Sequence, residues 1–337
     1  MSRTPESIGK YKIVSEIAKG GMGAVFKAIH PTLKRPVILK KLMLKSRKSL
    51  VERFKREARI MMDFRNENIV DVYDHFKEGT SYYIVLEYID GVSLDQLIRQ
   101  ERYLQEDLAL YIFMDACKAL KYAHDKGVIH RDIKPANILI SRNGEIKLVD
   151  FGIAVSVEDD EAGLTKEGMT LGTPSYMAPE QFENTKNVDK RADIYSMGVM
   201  LYEMVTGKKP FPGSLSAEAI AAIHKGKYVN PKKINPEITG KSLGIIKKSM
   251  RPKTQKRYQD LQPIIRKLQR SFSPSKEAEV KEHLTALVEG KAWIPTEKKP
   301  SPFRFLFPAI LIAAVLSTGG FFAVQAGLHY EYLLPNS

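Results

Sequence analysis

The stretch His130-Arg131-Asp132-Ile133-Lys134-Pro135-Ala136-Asn137 puts a base, a counter-charge and a metal ligand into eight residues. Thirteen residues after Asn137, Asp150-Phe151-Gly152 adds a second oxygen ligand. An aspartate can accept a proton, and a lysine two residues on can neutralise an anion beside it. Asn137 and Asp150 offer the oxygens that hard divalent cations prefer. Together these types could draw a proton from a hydroxyl next to a metal-bound polyanion. Each tripeptide alone recurs by chance; both together, in this order and at this spacing, are a specific signal.

The two motifs resemble the signatures of protein kinases. That resemblance implies that Asp132 accepts the proton of the attacking hydroxyl and Lys134 neutralises the phosphoryl group in transfer. It also implies that Asn137 and Asp150 hold Mg²⁺, or Mn²⁺ in its place, against the phosphates of ATP. Upstream, Ala18-Lys19-Gly20-Gly21-Met22-Gly23-Ala24-Val25 looks like the kinase glycine-rich loop, with Gly20 and Gly23 as its second and third glycines. Glycine admits backbone N–H groups to the phosphates where a Cβ would collide. Ala18 replaces the first glycine; it restricts φ at that turn and is expected to tune nucleotide affinity rather than abolish binding.

Val37-Ile38-Leu39-Lys40 resembles the strand whose lysine contacts the α- and β-phosphates. Strand alternation places Ile38 and Lys40 on one buried face, with Lys40 as its last residue. A register shift of one would put Lys41 there instead. Arg53–Met61 reads as a helix, with Phe54 and Met61 on or near its apolar side and Glu57 as the implied partner of Lys40. Without that context, Glu57 beside Arg53 and Arg56 would read as a solvated carboxylate. Backbone groups from Glu87 to Ile89 are implied to read the adenine edge, with Leu86 at the back of the pocket.

Further along, Gly172-Thr173-Pro174-Ser175-Tyr176-Met177-Ala178-Pro179-Glu180 resembles the end of a kinase activation segment. Asp193 matches the aspartate that anchors the catalytic loop from a buried helix, and Arg257 matches the late arginine that pairs with Glu180. A buried charge persists only with a partner, so these two support each other across the sequence. Residues 11–270 are therefore identified as one eukaryotic-like protein kinase domain of α+β class. It has a small β-rich lobe, about 11–89, and a larger helical lobe, about 90–270.

Gly-Gly-Met-Gly in the loop and Asp-Ile-Tyr-Ser-Met-Gly-Val after the activation segment look like bacterial serine/threonine kinases. Lys134 and Thr173-Pro174 point the same way; tyrosine, antibiotic and metabolite substrates fit less well. In relatives, an arginine before the catalytic aspartate docks a phosphorylated loop, so Arg131 is the expected receiver. Thr165 and Thr170 are both candidates for autophosphorylation, and Thr173 is expected to position substrate. The acidic run Glu158–Glu161 reads as a solvated stretch of the same loop.

These residues need elements to hold them. Residues 11–45 alternate polar and apolar, predicting a small antiparallel sheet that Ile69–Tyr73 and Tyr82–Tyr88 resume after the helix of Glu57. Beyond Gly91 the pattern turns helical, first at Leu94–Ile98 and then over Leu108–His124. The single cysteine, Cys117, excludes intrachain disulfides and reads as a buried thiol. The net charge of +14 comes without a nucleic-acid motif, so an anionic membrane surface or acidic partners explain it more economically than nucleic acid.

Phe305 to Leu328 contains no charged residue and is long enough to cross a bilayer core of about 30 Å as a helix. Lys291, Lys298, Lys299 and Arg304 precede it and no Lys or Arg follows, which predicts a single-pass inner-membrane protein with its kinase domain in the cytoplasm. Residues 271–304 are then a juxtamembrane connector with a short helix over Ser275–Val288, and 329–337 a short outer tail. Trp293 would sit at the interface or pack on the kinase domain. The overall expectation is a membrane-anchored serine/threonine kinase acting on proteins and on itself, with homodimers favouring trans-phosphorylation. The alternative is a nucleotide-binding pseudokinase scaffold, which Ala18 alone favours.

Overall fold

The computed structural model describes residues 5–20, 23–42, 48–151, 174–183, 188–214 and 216–293. The first lobe is a six-stranded antiparallel sheet in the order β1-β2-β3-β4-β6-β5. Its strands are β1 (Ser7–Ile8), β2 (Tyr11–Gly20), β3 (Gly23–Ile29), β4 (Pro36–Leu42), β5 (Val72–Glu78) and β6 (Ser81–Glu87). Alternation explains the sheet, because successive side chains serve opposite faces. Ala24, Phe26, Ala28, Val37 and Leu39 close an outer core with Tyr11, Tyr83 and Val85. Ile84 and Leu86, on the other face of β6, join the main core together with Leu42. Helix α1 (Lys48–Met62) covers this inner face through Phe54, Ala58 and Met61.

Two local expectations are corrected here. The fully buried face of β4 is that of Val37 and Leu39, while Ile38 and Lys40 share the opposite, partly buried face. That face also continues past Lys40 to the buried Leu42, because the strand pairs with β3 and β6 along its whole length. Ile69 does not begin β5; it forms a parallel bridge with Leu148 in the second sheet.

The second lobe is helical: α2 (Leu94–Glu101), α3 (Glu106–Asp125), α4 (Pro179–Glu183), α5 (Lys190–Thr206), α6 (Ala217–Lys225), α7 (Gly240–Ser249), α8 (Gln262–Gln269) and α9 (Pro274–Val288). Helix α5 is buried from Ala192 to Thr206, as its lack of a polar stripe dictates. Asp189 caps its start and left-handed Gly207 ends it. Cys117 lies fully buried in α3, where burial pushes its thiol well above the ordinary range. A small sheet of β7 (Gly91–Ser93), β8 (Ile138–Ser141) and β9 (Ile146–Leu148) lies against α2 and α3.

The lobes share the main core. Leu148 N donates to Asn68 O at 2.8 Å, Val70 N donates to Leu148 O at 3.1 Å, and the Phe64 and Phe151 rings meet edge to face at 5.7 Å. Helix α9 falls within the stretch expected as a connector, yet its Val280 and Leu284 belong to the main core and Lys276 pairs with Asp107 at 2.7 Å. Trp293 stacks on His283 of α9 with ring centroids 4.0 Å apart, so it packs on the domain. Among the described residues no helix is long and apolar enough to cross a membrane. The expected span 305–328, the tail 329–337 and residues 294–304 lie outside the described residues.

Candidate active site

The loop between α3 and β8 carries Asp132, Lys134 and Asn137. Lys134 Nζ donates to Asp132 Oδ2 at 2.7 Å. Asn137 Nδ2 donates to the same oxygen at 3.1 Å and to the Asp132 carbonyl at 2.7 Å. Among the described residues the bonds to the Asp132 carboxylate fall on Oδ2, leaving Oδ1 to accept a proton. They also spend the amide N–H groups of Asn137, so its carbonyl oxygen is free to turn to a cation. Pro135 starts the 3₁₀ turn Pro135–Asn137 that gives this spacing, with its fixed φ at a position that needs no N–H.

Arg131 and Asp150 both adopt left-handed backbone, with φ of 65° and 60°. A non-glycine residue there costs on the order of 1–3 kcal/mol, so its surroundings must hold it. Asp193 does so for Arg131 from the first turn of α5. Its Oδ1 accepts from Arg131 N and its Oδ2 from His130 N, each at 2.8 Å. His124 Nε2 reaches the same Oδ2 at 2.8 Å and carries the hydrogen, because an ionised carboxylate only accepts. His130 in turn donates from Nε2 to Val149 O at 2.9 Å, beside Asp150, and accepts from Asp132 N at Nδ1. The His130 ring lies 4.8 Å from that of Phe151. One buried carboxylate thus ties the segments of Asp132 and Asp150 to a helix.

Lys40 projects from β4 and pairs with Asp150 Oδ1 at 2.7 Å. Burial alone would raise the Asp150 pKa, but the Lys40 ammonium outweighs it and, with His130 and Lys134, holds the carboxyl below its usual range. Asp150 therefore stays ionised at neutral pH. Glu57 lies on the inward side of α1, three residues from Phe54 and four from Met61, and is partly buried. Lys41, on the opposite face of β4 from Lys40, points away from this group.

The hairpin of β2 and β3 registers Ala18 with Val25 and Gly20 with Gly23. Ala18 is an exposed strand residue, outside the set with positive φ, so the expectation that it restricts a turn is corrected. Gly23 has φ of 148°, and a Cβ there would come within 1.9 Å of Lys41 O. Only glycine lets β3 lie this close to the strand of Lys40. Gly21 and Met22 fall outside the described residues. Leu86 is buried and Ile89 partly so where β6 leaves the sheet. The Glu87 carboxylate is already engaged, accepting from Lys147 Nζ at 3.1 Å and Asp71 N at 3.2 Å, and its own N–H donates to Asp71 O at 2.9 Å, so only its backbone carbonyl is left to face a ligand.

At the end of the segment, Glu180 and Arg257 form a two-pronged ion pair with N–O distances of 2.6 and 2.7 Å. The remaining Arg257 donors go to the carbonyls of Arg251, Arg191 and Pro252. Gln181 was not singled out from sequence, yet its Nε2 donates to Arg131 O at 3.2 Å while its Oε1 accepts from Ala178 N. It clamps the strained residue from the far side. His124, Lys147 and Glu203, which binds the Tyr176 hydroxyl, were also missed. No short motif marks these contacts, each of which closes over 27 or more residues. Thr165, Thr170 and Thr173 lie outside the described residues, as does Gly152.

Among the described residues no three acidic, histidine or cysteine side chains gather into a metal cage. Mg²⁺ held with a nucleotide needs only one or two protein oxygens, because phosphates supply others. Asn137 and Asp150 fit that chemistry.

Comparison with known proteins bears on the same residues. The pattern of the protein kinase domain family matches residues 11–271. The chain is 38% identical over 264 residues to a probable serine/threonine-protein kinase of Clostridium perfringens, covering 77% of this chain and 38% of that protein. It is 36% identical to the serine/threonine-protein kinase PknB of Mycolicibacterium smegmatis, covering 76% of this chain and 42% of that one. It spans about two-fifths of the length of these relatives. Among solved structures, Rad53 in complex with AMP-PNP superposes with a TM-score of 0.65 at 25% identity, over 76% of this chain and 64% of that one.

Proposed function

This chain belongs to the protein kinase family, its domain is of the serine/threonine class, and from that premise we propose that it transfers the γ-phosphoryl group of ATP to serine and threonine hydroxyls of proteins, itself included. The observation that carries the reading is the convergence of Asp132, Lys134 and Asn137 on one loop, pinned by Asp193 beside the Lys40–Asp150 pair. Asp132 Oδ1 accepts the proton of the substrate hydroxyl. Lys134, already on Asp132 Oδ2, orients that carboxylate and offsets charge on the entering phosphoryl group. Lys40 aligns the nucleotide phosphates, with Glu57 of α1 as its expected ion-pair partner. Asn137 and Asp150 would hold Mg²⁺, which when bound neutralises charge on the phosphates.

We read Arg131 as the receiver of a phosphorylated Thr165 or Thr170, Thr173 as a substrate-positioning residue, and residues 305–328 as a membrane anchor that keeps the domain in the cytoplasm. Two chains in one membrane would favour phosphorylation in trans. The pseudokinase alternative rests on Ala18 alone, against an intact set of Lys40, Glu57, Asp132, Asn137 and Asp150. The test is incubation of the full chain with Mg·ATP and a generic serine/threonine substrate, with phosphosites mapped by mass spectrometry. Phosphate on substrate and on Thr165 or Thr170 supports the reading; ATP binding without any transfer contradicts it.

A further inference from the structure

The whole chain carries 53 Lys and Arg against 39 Asp and Glu, but residues 225–256 carry ten against one, Glu237. Soluble surfaces ordinarily mix the two signs. Nine of the ten are exposed. Among the described residues, the ion pairs of this part of the domain, Lys190–Asp260, Arg191–Asp189 and Arg257–Glu180, use none of them. Cations in a last helical turn favour the helix dipole, which accounts for Lys225 on α6 and for Lys247 and Lys248 on α7. It does not account for Lys227, Arg251 and Lys253, which lie in the connections.

The cations at the end of α6 and those after α7 are brought together by a close backbone contact. Gly226, left-handed at φ 61°, ends α6 so close to the Arg251–Lys253 turn that a Cβ would come within 2.8 Å of Pro252 Cγ. That turn is held in place by Arg257, which donates to Arg251 O at 2.6 Å and Pro252 O at 3.0 Å. The ends of α6 and α7 therefore present their cations side by side on a rigid support.

We propose that this face rests against anionic lipid headgroups. The proposal rests on the membrane-anchor reading above. Lipid is favoured over an acidic protein by the uncharged run 305–328 and by the eleven residues 294–304 before it. A linker of that length reaches at most about 40 Å, so an anchored domain is kept within that distance of the bilayer and meets its surface often. The basic residues Lys298, Lys299 and Arg304 in that linker share the preference.

The test uses the full chain with Gln255→Cys, an exposed position within the face; the native Cys117 is fully buried and silent to a water-soluble maleimide. The chain is placed in phosphatidylcholine vesicles with or without phosphatidylglycerol, and flotation and labelling rate are both read. The expected result is labelling at least about fivefold slower on the anionic vesicles, the effect of one lysine near such a surface. High salt and the triple variant Lys247→Glu, Lys248→Glu, Lys253→Glu should abolish the difference while kinase activity persists. Equal labelling on both vesicles, or slowing only by added polyglutamate, overturns the lipid face. Failure to float with uncharged vesicles overturns the anchor reading instead, and the labelling on anionic vesicles still decides the face.

Discussion

Replacing Asp193 with Asn should disable phosphoryl transfer without emptying the nucleotide site. Asp193 accepts from His130 N, Arg131 N and His124 Nε2, all at 2.8 Å, and is itself buried. An asparagine keeps one acceptor oxygen and turns an N–H₂ toward a backbone N–H or the imidazole. At least one hydrogen bond to a charged group is lost, about 1.5–3 kcal/mol, and one buried donor is left facing another. The strain at Arg131, on the order of 1–3 kcal/mol, is then opposed less firmly, with Gln181 still holding the Arg131 carbonyl. Together these losses suffice to let the loop relax. A displacement of about 1 Å at a positioned group costs on the order of a hundredfold in rate, so kcat should fall about that much. The KM for ATP should change far less than kcat, because Lys40 and the end of β6 do not touch Asp193 and Asp150 is tied to it only through His130. Steady-state kinetics on a peptide substrate separates the two parameters. A wild-type kcat in Asp193→Asn would refute the view that this carboxylate positions the catalytic loop.

Arg257→Met should destabilise the chain by about 3 kcal/mol in urea unfolding, since it strands a partly buried Glu180 carboxylate and three carbonyls. Adding Glu180→Gln should cost less than in the wild-type background; strict additivity would show the pair uncoupled. Gly23→Ala should raise the Kd of a fluorescent ATP analogue and lower stability by more than about 1 kcal/mol, because the new methyl meets Lys41 O. Unchanged affinity would remove β3 from the nucleotide site. Glu203 has its pKa raised, chiefly by burial, so its carboxyl favours folding below its ordinary 4.5 and loses that contribution as pH rises through the raised value. The melting temperature should therefore decline more in the wild type than in Glu203→Gln as pH rises from about 4 to about 8, and parallel changes would contradict this.

Residues that carry chemistry were legible because their types are restricted and their spacing is local. Asp132, Lys134 and Asn137 lie on one loop, and the parity of β4 alone placed Ile38 and Lys40 together. The same parity could not say which face of β4 is fully buried, since both faces meet apolar neighbours and only the strand's place in the sheet decides. Ala18 was read through the loop pattern as a turn residue, but the hairpin pairs it with Val25, and cross-strand register is not encoded at one position. Gln181 and His124 act through partners 50 and 69 residues away, where periodicity is silent. Helix α9 was visible as a helix, but its Val280 and Leu284 acquire meaning only once α3 offers them a surface.

The most direct measurement compares the rate of phosphoryl transfer from Mg·ATP to a serine/threonine peptide by the wild-type chain and by Asp132→Asn, with ATP binding measured on both. Removing a positioned base typically costs about 10²–10⁴-fold. A loss in that range with ATP affinity retained is the expected result. Transfer by Asp132→Asn at the wild-type rate would show that the base lies elsewhere and contradict the assignment of this loop.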